Sequence, residues 1–372
     1  MSEPTDIIDR VEVFCLHIPY RSEVRYASTR DTHGVFAVLR LTTKDGAVGI
    51  AEGVARPDQN HGEDVKTVAY QIETYFRPML IGADPLETDA IFSKMARIKK
   101  NRAAKALIDN ALWDLKGKLL GQPVWRLLGG SKPKPVPISG IVFGYASVAA
   151  MAEDAAKAVA QEGLRGFKIK TWKRSMEDVE VVREIRRAVG DDVFLYADAN
   201  RVYTQGEARA VFPHFAEHGI RMIEDPCKYT SYDDLARLAE HLPVPILADG
   251  AWETMTDVYN LARINAIGAV SVKLAKIGMT QGLKLIGLCE MAGLDVVIGT
   301  NTESRIGTLP MIHVWSAFKN LQSIPSETGF YRHLADDVYD GDLVYENGTI
   351  HVPEAPGFGG GLDEKKLAKY RV

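Results

Sequence analysis

Gly166-Phe-Lys168-Ile-Lys170 is the first of five short apolar segments that each end in a charged residue. Four similar segments follow it: Leu195-Tyr-Ala-Asp198, Arg221-Met-Ile-Glu224, Pro245-Ile-Leu-Ala-Asp249 and Ala269-Val-Ser-Val-Lys273. Their final charged residues lie 24 to 28 residues apart, which is close to the length of one β/α unit in an eight-stranded parallel barrel. The repeat therefore predicts an α/β fold in which these charges lie at one end of a barrel.

The composition is that of an ordinary globular protein. The 372 residues are 46% apolar and 25% charged, with a net charge of -4. No Lys/Arg cluster is interleaved with aromatic residues, so we expect no nucleic-acid partner. No apolar run approaches the roughly 20 residues of a membrane span, so we expect no membrane partner. The acidic N-terminus does not resemble a secretion signal, and the three cysteines lack metal-type spacing. We therefore expect a cytoplasmic protein with reduced thiols.

The order of the predicted elements divides the chain into two domains and a tail. Residues 1–130 are predicted to form an α+β capping domain, with a strand over 11–18, a hairpin over 35–52 and helices over 63–76, 84–98 and 103–119. Residues 131–341 alternate strands and helices and predict a (β/α)7β TIM-like barrel, whose first strand covers 136–143 and whose weak eighth strand covers 323–327. We expect the tail, residues 342–372, to return to the capping domain.

Three carboxylates follow three consecutive predicted strands. Alternate residues of a barrel strand face inward, which places Asp198, Glu224 and Asp249 at the carboxyl ends, where the active sites of such barrels lie. Neighbouring strands are ~4.8 Å apart, and like charges this close resist joint ionisation. A hard divalent cation relieves the repulsion, so the pattern predicts a site for Mg²⁺ (or Mn²⁺). The alternative is that each acid pairs with a lysine or caps a helix.

Lysines flank the acids on the second and sixth predicted strands, which lie on opposite sides of a closed barrel. Lys168 and Lys170 share the inward face of one strand, and Lys273 ends the other. This arrangement suits removal of a proton from one face of a substrate and its return on the other. We expect Lys168 and a nearby cation to lower the pKa of Lys170 from the ordinary ~10.4. The alternatives are a purely ion-pairing role and, for the sixth-strand lysine, a Schiff-base aldolase.

These motifs resemble those of the enolase superfamily, and within it the muconate lactonizing enzyme subgroup of the mandelate racemase/muconate lactonizing enzyme family. The resemblance covers almost the whole chain and includes the lysine and acid motifs, the segment 299–308 and the helix 103–118. A lysine or histidine base together with Mg²⁺ is a known pattern of this superfamily. The resemblance implies that Lys170 and Lys273, assisted by Lys168, transfer protons beside a metal ion. It also implies a small-molecule carboxylate substrate and a homo-oligomer.

The resemblance suggests further residues that contact the substrate or support the ligands: Asn200, Asn301, Glu303, Glu327, His33 and Arg25. It also implies that two capping-domain loops, 20–34 and 53–62, close over the barrel mouth. Two departures from the subgroup's motifs face the pocket. Gly250 follows Asp249 where a glutamate is common, so an acid that could orient Lys273 is missing. Asn301-Thr302 replace a Met-Leu pair, which suggests an altered specificity. Trp172 and Trp252 follow strand ends and are candidates for lid packing or for a substrate wall.

The implied reaction is removal of the proton α to a substrate carboxylate, through an enolate, by a metal-dependent isomerase. A muconate-type cycloisomerase is the favoured interpretation. The alternatives within the superfamily are a racemase or epimerase of an amino-acid derivative and a syn dehydratase similar to o-succinylbenzoate synthase. An alternative of another class is a metal-stabilised binding protein on the same scaffold that has lost its chemistry.

Overall fold

A three-stranded antiparallel sheet begins the chain. In the computed structural model, which describes residues 6–25, 30–55, 62–143 and 147–372, its strands are β1 (Ile8–Arg25), β2 (Arg30–Thr43) and β3 (Val48–Val54). A tight turn joins β2 to β3, and Gly46 adopts a φ of 91° there. Because glycine tolerates positive φ without steric cost, the Asp-Gly pair favours this turn.

The prediction of a polar loop over 20–34 is wrong for most of that segment. Strands β1 and β2 continue through it, and Val24 pairs with Asp31 beyond an irregularity that follows Pro19. The polar residues misled the prediction because an antiparallel strand exposes one of its faces to water. Residues 26–29 lie outside the described residues. The second predicted loop, 53–62, begins with the end of strand β3, which continues to Val54. Residues 56–61 of that loop also lie outside the described residues.

Five helices follow the sheet: α1 (Val65–Gln71), α2 (Arg77–Leu80), α3 (Thr88–Met95), α4 (Arg102–Leu119) and α5 (Val124–Leu127). A π-helical stretch, Ile72–Phe76, joins α1 to α2. The helix predicted over 63–76 therefore continues to Leu80, because Pro78 lies in the first turn of α2, where a proline is tolerated. The helix predicted over 84–98 begins only at Thr88, since the Asp84 carboxylate accepts from Leu86 N–H in a preceding turn.

The segment predicted as the first barrel strand is split into two short strands. The first, β4 (Val136–Pro137), pairs with the C-terminal tail. The second, β5 (Ser139–Val142), starts a parallel sheet of seven strands arranged in chain order. The other six strands are β6 (Gly166–Lys170), β7 (Phe194–Asp198), β8 (Ile220–Glu224), β9 (Ile246–Ala248), β10 (Ala269–Val272) and β11 (Asp295–Ile298).

A helix follows each strand of this sheet. These helices are α6 (Val148–Glu162), α7 (Met176–Val189), α8 (Gln205–Glu217), α9 (Tyr232–Ala239), α10 (Met255–Arg263), α11 (Leu274–Met291) and α12 (Arg305–Ala317). Several begin at a capping side chain; Thr204 and Thr254, for example, form capping boxes with acids three residues later. The strand–helix alternation predicted from the sequence is confirmed.

Two residues close the barrel in place of a full eighth strand. Ser326 N–H donates to the Pro137 carbonyl at 2.8 Å, and Ser139 N–H donates to the Ser326 carbonyl at 2.7 Å. On the other side, Glu327 N–H donates to the Ile298 carbonyl at 2.9 Å. The predicted (β/α)7β TIM-like fold with an α+β capping part is confirmed, and the weak eighth strand is reduced to these contacts.

The inward-facing residues of the barrel follow the predicted alternation. A buried apolar cluster fills the interior, formed by Tyr196, Met222, Leu247, Ala269, Val297 and Ile324. Asp198, Glu224 and Asp249 lie two residues beyond the first three of these, so they share the inward face. A separate apolar core lies between the capping sheet and its helices.

The C-terminal tail contacts both parts of the molecule. Strand β12 (Tyr339–Asp340) pairs with β15 (Gly361–Leu362), and the hairpin of β13 (Tyr345–Glu346) and β14 (Thr349–Ile350) pairs with β4. The last helix, α13 (Glu364–Tyr370), lies against β1, and Val372 N–H donates to the Cys15 carbonyl at 3.0 Å. The domain limits at residues 130 and 341 stay a prediction.

All three cysteines are free thiols, and Cys227 and Cys289 are buried. None of the helices within the described ranges is long and apolar enough to cross a membrane.

Candidate active site

The charged residues lie together at the carboxyl ends of the barrel strands. Lys170, Asp198 and Glu224 are direct partners across β6, β7 and β8. Asp249 directly follows β9, and Lys273 directly follows β10. Because parallel strands all end at the same edge, the repeat found in the sequence becomes a ring of charge around one opening.

Lys168 is the buried centre of the acid cluster. Its Nζ lies 2.8 Å from Glu224 Oε2, 2.8 Å from Glu327 Oε1 and 3.6 Å from Asp198 Oδ2. Burial by itself would lower the pKa of Lys168, but Glu224 and Glu327 outweigh that effect and raise it well above its ordinary value. Lys168 therefore remains protonated at neutral pH and is unsuited to act as a base.

Lys170 is more accessible than its neighbour on the same strand. Its side chain is 19% exposed, against 5% for Lys168. The Nζ atom lies 2.5 Å from Asp198 Oδ2 and 2.9 Å from Asn200 Oδ1. A cavity of about 250 Å³ adjoins this lysine and is lined in part by Trp172. Lys170 is thus the lysine of this strand that a substrate can reach.

Lys273 pairs with a different acid from the other two lysines. Its Nζ lies 2.7 Å from Asp249 Oδ2, and both residues are buried. Burial would lower the pKa of Lys273, but Asp249 outweighs that effect and raises it. Since Lys170 bonds Asp198 and Lys273 bonds Asp249, the two amines belong to opposite ends of the row of acids.

Backbone turns after the strands aim several of these polar groups. Asn200 and Asp225 follow strand ends with φ values of 42° and 43°, and short polar residues tolerate this left-handed region. Thr302 adopts a φ of 71°, and this conformation is strained for a β-branched residue. Backbone strain of this kind is found mainly at functional sites. The Glu303 carboxylate stabilises that turn by accepting from Thr300 Oγ1 and from Asn301 N–H, at 2.6 and 2.9 Å.

The acids are electrostatically coupled to one another. Burial and then the charge of Asp198 raise the pKa of Glu224 well above its ordinary value, and Asp249 adds to this effect. Burial would also raise the pKa of Asp198, but Lys170 and Lys168 outweigh it and lower that pKa. Three acids that influence each other in this way meet the electrostatic condition for a cation site.

The side chains as they stand do not form a finished metal site. Over the described ranges, no group of three or more His, Cys, Asp or Glu residues is placed to hold an ion, since the lysine amines lie between the carboxylates. Asp249 Oδ1 is buried and nevertheless lacks a hydrogen-bond partner, whereas Glu224 Oε2 is paired with Lys168 Nζ at 2.8 Å. An unpartnered buried carboxylate oxygen with two further acids on the neighbouring strands supplies the kind of oxygen donor that a hard divalent cation prefers, so the residues fit Mg²⁺ or Mn²⁺.

Three supporting residues were missed in the sequence analysis. The Asp225 carboxylate accepts from Asp249 N–H and Gly250 N–H at 3.2 and 2.9 Å, and burial raises its pKa to about 6. Tyr196 Oη donates to Glu327. Lys276 Nζ donates to the Asp249 carbonyl at 3.0 Å. Asp225 lies within the Glu-Asp-Pro motif, so its position was a usable signal, whereas the other two contacts join distant parts of the chain.

The remaining predicted substrate and supporting residues have different locations. Glu327 and Asn200 contact the lysines, as described above. Asn301 is buried in the strained turn beside Glu303. His33 is exposed on β2, where its ring contacts Thr32 Oγ1. The backbone of Arg25 ends β1, and its side chain lies outside the described residues. Trp252 is 2% exposed and donates from Nε1 to the Ala248 carbonyl, so it packs inside the protein.

Known family models match nearly the whole chain. The model of the mandelate racemase / muconate lactonizing enzyme N-terminal domain matches residues 10–129, and the enolase C-terminal domain-like model matches residues 150–366. The chain belongs to the mandelate racemase/muconate lactonizing enzyme family. It is therefore an enzyme of the enolase superfamily with isomerase-type relatives. This family generally uses a divalent metal ion.

Individual relatives align with this chain over almost the full length of both proteins. A chloromuconate cycloisomerase of Cupriavidus necator is 30% identical over 98% of this chain and 98% of its own. An N-succinyl-L-Arg/Lys racemase of Bacillus cereus is 28% identical over 98% of each chain. The crystal structure of a muconate lactonizing enzyme from Pseudomonas fluorescens complexed with muconolactone has a TM-score of 0.93 at 27% identity, and it covers 99% of this chain and 100% of its own.

Proposed function

We propose that this enzyme is a divalent-metal-dependent isomerase that transfers the proton α to a substrate carboxylate, most specifically a muconate-type cycloisomerase. The observation that carries the proposal is the placement of two lysines at opposite ends of the acid row: Lys170 beside Asp198 and Lys273 beside Asp249. Support for the cycloisomerase reaction comes from the relatives named for muconate and chloromuconate.

Asp198, Glu224 and Asp249 would hold Mg²⁺ (or Mn²⁺) in this proposal. When bound, the ion supplies positive charge that stabilises negative charge developing on the substrate carboxylate. Lys168 stays protonated between Glu224 and Glu327 and adds a second fixed positive charge. If Asp198 held the ion, Lys170 would no longer be tied to Asp198 Oδ2, which lies 2.5 Å from its Nζ, and could exchange a proton with the substrate.

Lys170 carries the proton in both directions of the proposed cycloisomerisation. In lactone opening, its neutral amine removes the proton from the carbon α to the carboxylate, and the ring C–O bond then breaks to give the dicarboxylate. In lactone formation, a carboxylate oxygen adds to the conjugated double bond and Lys170 returns the proton to that carbon. Lys273 acts as a positive charge opposite Lys170 in this reaction and exchanges no proton with the substrate.

The experiment uses cis,cis-muconate and muconolactone with Mg²⁺ or Mn²⁺ in D₂O, followed by NMR. We expect conversion together with one deuterium at the α carbon, both of which are lost in Lys170→Ala and retained in the matched surface variant Lys228→Ala, at an exposed position away from the site. Full activity of Lys170→Ala on any substrate of the enzyme would refute the proton-transfer assignment.

A second candidate function is racemisation or epimerisation of an N-acylated amino acid. The observation that favours it is the Bacillus cereus racemase among the relatives, together with a lysine on each side of the acid row. In this reaction one lysine removes the α proton and the other returns it on the opposite face. Lys273→Met should abolish racemisation of an N-succinyl amino acid while α-deuteration by Lys170 continues, and that split distinguishes racemisation from cycloisomerisation. A syn dehydratase would instead release water from its substrate.

A further inference from the structure

A second cavity, of about 500 Å³, lies between the capping helices and the barrel. It contains none of the residues proposed above for catalysis or metal binding. Its walls come from α3, the segment between α3 and α4, the start of α4, the segment that leads into α10, and the first half of α11. Apolar side chains, among them Phe92, Met255 and Ile277, form much of the surface. The volume lies within the ~300–1,000 Å³ of small-molecule sites.

Positive charge is concentrated on one side of this cavity. Lys99, Lys100 and Lys105 line it together with Arg102, whose guanidinium is already paired with Glu253 at 2.8 Å. Within the ranges that the structure describes, the three lysines have no carboxylate within ion-pairing distance. Burial and then the charge of Lys99 lower the pKa of Lys105, and Glu63 offsets only part of this. An apolar cavity bordered by unneutralised amines is complementary to an amphiphilic anion.

We propose that this cavity is a binding site for a small organic carboxylate with an apolar body. The apolar part would lie against Phe92, Met255 and Ile277, and the carboxylate would pair with Lys99 and Lys100. A neutral apolar ligand would leave the amines unpaired, and a compact inorganic anion would leave the apolar wall exposed to water. The proposal does not depend on the proposed function, because the two sites share no residue.

The cavity is nevertheless mechanically connected to the candidate active site. Trp252 forms part of its wall, and the Trp252 carbonyl accepts a hydrogen bond from Lys276 Nζ at 2.9 Å. The same amine bonds the carbonyl of Asp249 at 3.0 Å. An occupant of the cavity would therefore contact the segment that carries a proposed metal ligand, without entering the barrel mouth.

The test uses 2-naphthoate as the probe and isothermal titration calorimetry of the full chain with saturating Mg²⁺. We expect saturable binding to one site, with neutral 2-naphthylmethanol binding at least about tenfold more weakly. The double variant Lys99→Ala/Lys100→Ala should bind about three- to tenfold more weakly, as two exposed ion pairs allow. The charge-matched double variant Lys228→Ala/Lys319→Ala, at exposed positions elsewhere, should bind like the parent.

A second variant tests whether binding depends on the shape of the cavity. Ala96→Trp adds bulk at the lining without changing charge and should also weaken binding. Lys170→Ala should leave naphthoate binding unchanged. Three results would overturn the proposal: no saturable binding up to millimolar probe, equal affinity in both double variants, or a loss in Lys170→Ala with none in the cavity variants, which would place the carboxylate in the barrel mouth. Far-ultraviolet circular dichroism confirms that each variant is folded.

Discussion

The ammonium group of Lys276 lies 3.9 Å from the centre of the Trp252 ring. The same ammonium group donates to the carbonyls of Asp249 and Trp252 at 3.0 and 2.9 Å. Lys276 is 2% exposed, and burial lowers its pKa to about 8. This lysine thus joins α11 to the segment that begins at Asp249, a proposed metal ligand. Among the described residues, no other side chain donates to these two carbonyls.

Replacing Lys276 tests this connection. We expect Lys276→Met to lower the free energy of unfolding by about 1–3 kcal/mol, because two buried carbonyls lose a charged donor and the Trp252 ring loses its cation. Lys276→Arg should recover part of the loss. The measurement is urea unfolding, with Lys284→Met, an exposed position on the same helix, as the control that should change little. Equal stability of the two Met variants would show that the connection contributes nothing.

The metal-ligand assignment predicts a loss of ion affinity on neutralising one acid. Asp249→Asn should weaken Mg²⁺ binding by at least about tenfold, since it removes one negative charge and a carboxylate oxygen from the site. Asp295→Asn is the control, because Asp295 is exposed at the opposite end of a barrel strand. Calorimetric titration of the full chain measures both. If the two variants bind Mg²⁺ equally well, Asp249 is not a ligand.

The corner after β9, at Asp249 and Gly250, requires a glycine at position 250. A Cβ at Gly250 would lie 2.7 Å from Asp225 Oδ2 and 3.0 Å from the Arg201 guanidinium. Gly250→Ala would therefore displace the buried Asp225 carboxylate, which accepts from the backbone N–H of Asp249. We expect a loss of about 1–3 kcal/mol in the free energy of unfolding and weaker Mg²⁺ binding.

Gly206→Ala is the matched control for that change. A Cβ at Gly206, in α8, has no heavy atom within 4 Å, and alanine in a helix is favoured over glycine by about 0.5–1 kcal/mol. Urea unfolding should therefore shift in opposite directions for the two variants. A Gly250→Ala protein as stable as the parent, with unchanged Mg²⁺ affinity, would contradict the account of this corner.

The buried position of Glu52 on β3 predicts that the free energy of unfolding of the protein depends on pH. Its buried carboxylate accepts from Ser304 N–H at 2.8 Å at the start of α12, which ties the capping sheet to the seventh barrel loop. Burial raises the pKa of Glu52 to about 8, with Asp337 and Glu303 adding to the effect. Between the unfolded value of 4.5 and about 8, the folded protein binds more protons than the unfolded chain. The Glu52 contribution to the free energy of unfolding therefore falls as pH rises.

Glu52→Gln removes this titration. The free energy of unfolding of the variant, relative to the parent, should rise between pH 5 and pH 8, by at most about 1.4 kcal/mol for each unit of pH. Urea unfolding of both proteins at several pH values gives the difference, in which the other titrating groups cancel. A difference that stays constant over this range would show that Glu52 is ionised in the folded protein.

Much of the fold could be predicted because local patterns reflect it directly. The spacing of Lys170, Asp198, Glu224 and Asp249 reports the length of a β/α unit, and alternation along each strand identifies the inward face. The eighth strand was poorly predicted, since two residues closing a sheet leave almost no pattern. The polar strand ends near Val24 and Asp31 were taken for a loop because an exposed strand face has the composition of a loop.

The amino-acid sequence by itself determined the barrel, the order of its strands and the position of three acids and three lysines at its carboxyl ends, since these follow from periodicities within single segments. The tertiary structure decided which charges meet. Lys168 bonds Glu327 from 159 positions away, and Lys276 of α11 bonds the carbonyl of Asp249. Such pairings depend on how the sheet closes and how the helices pack on it, and they leave no periodic signal in the chain.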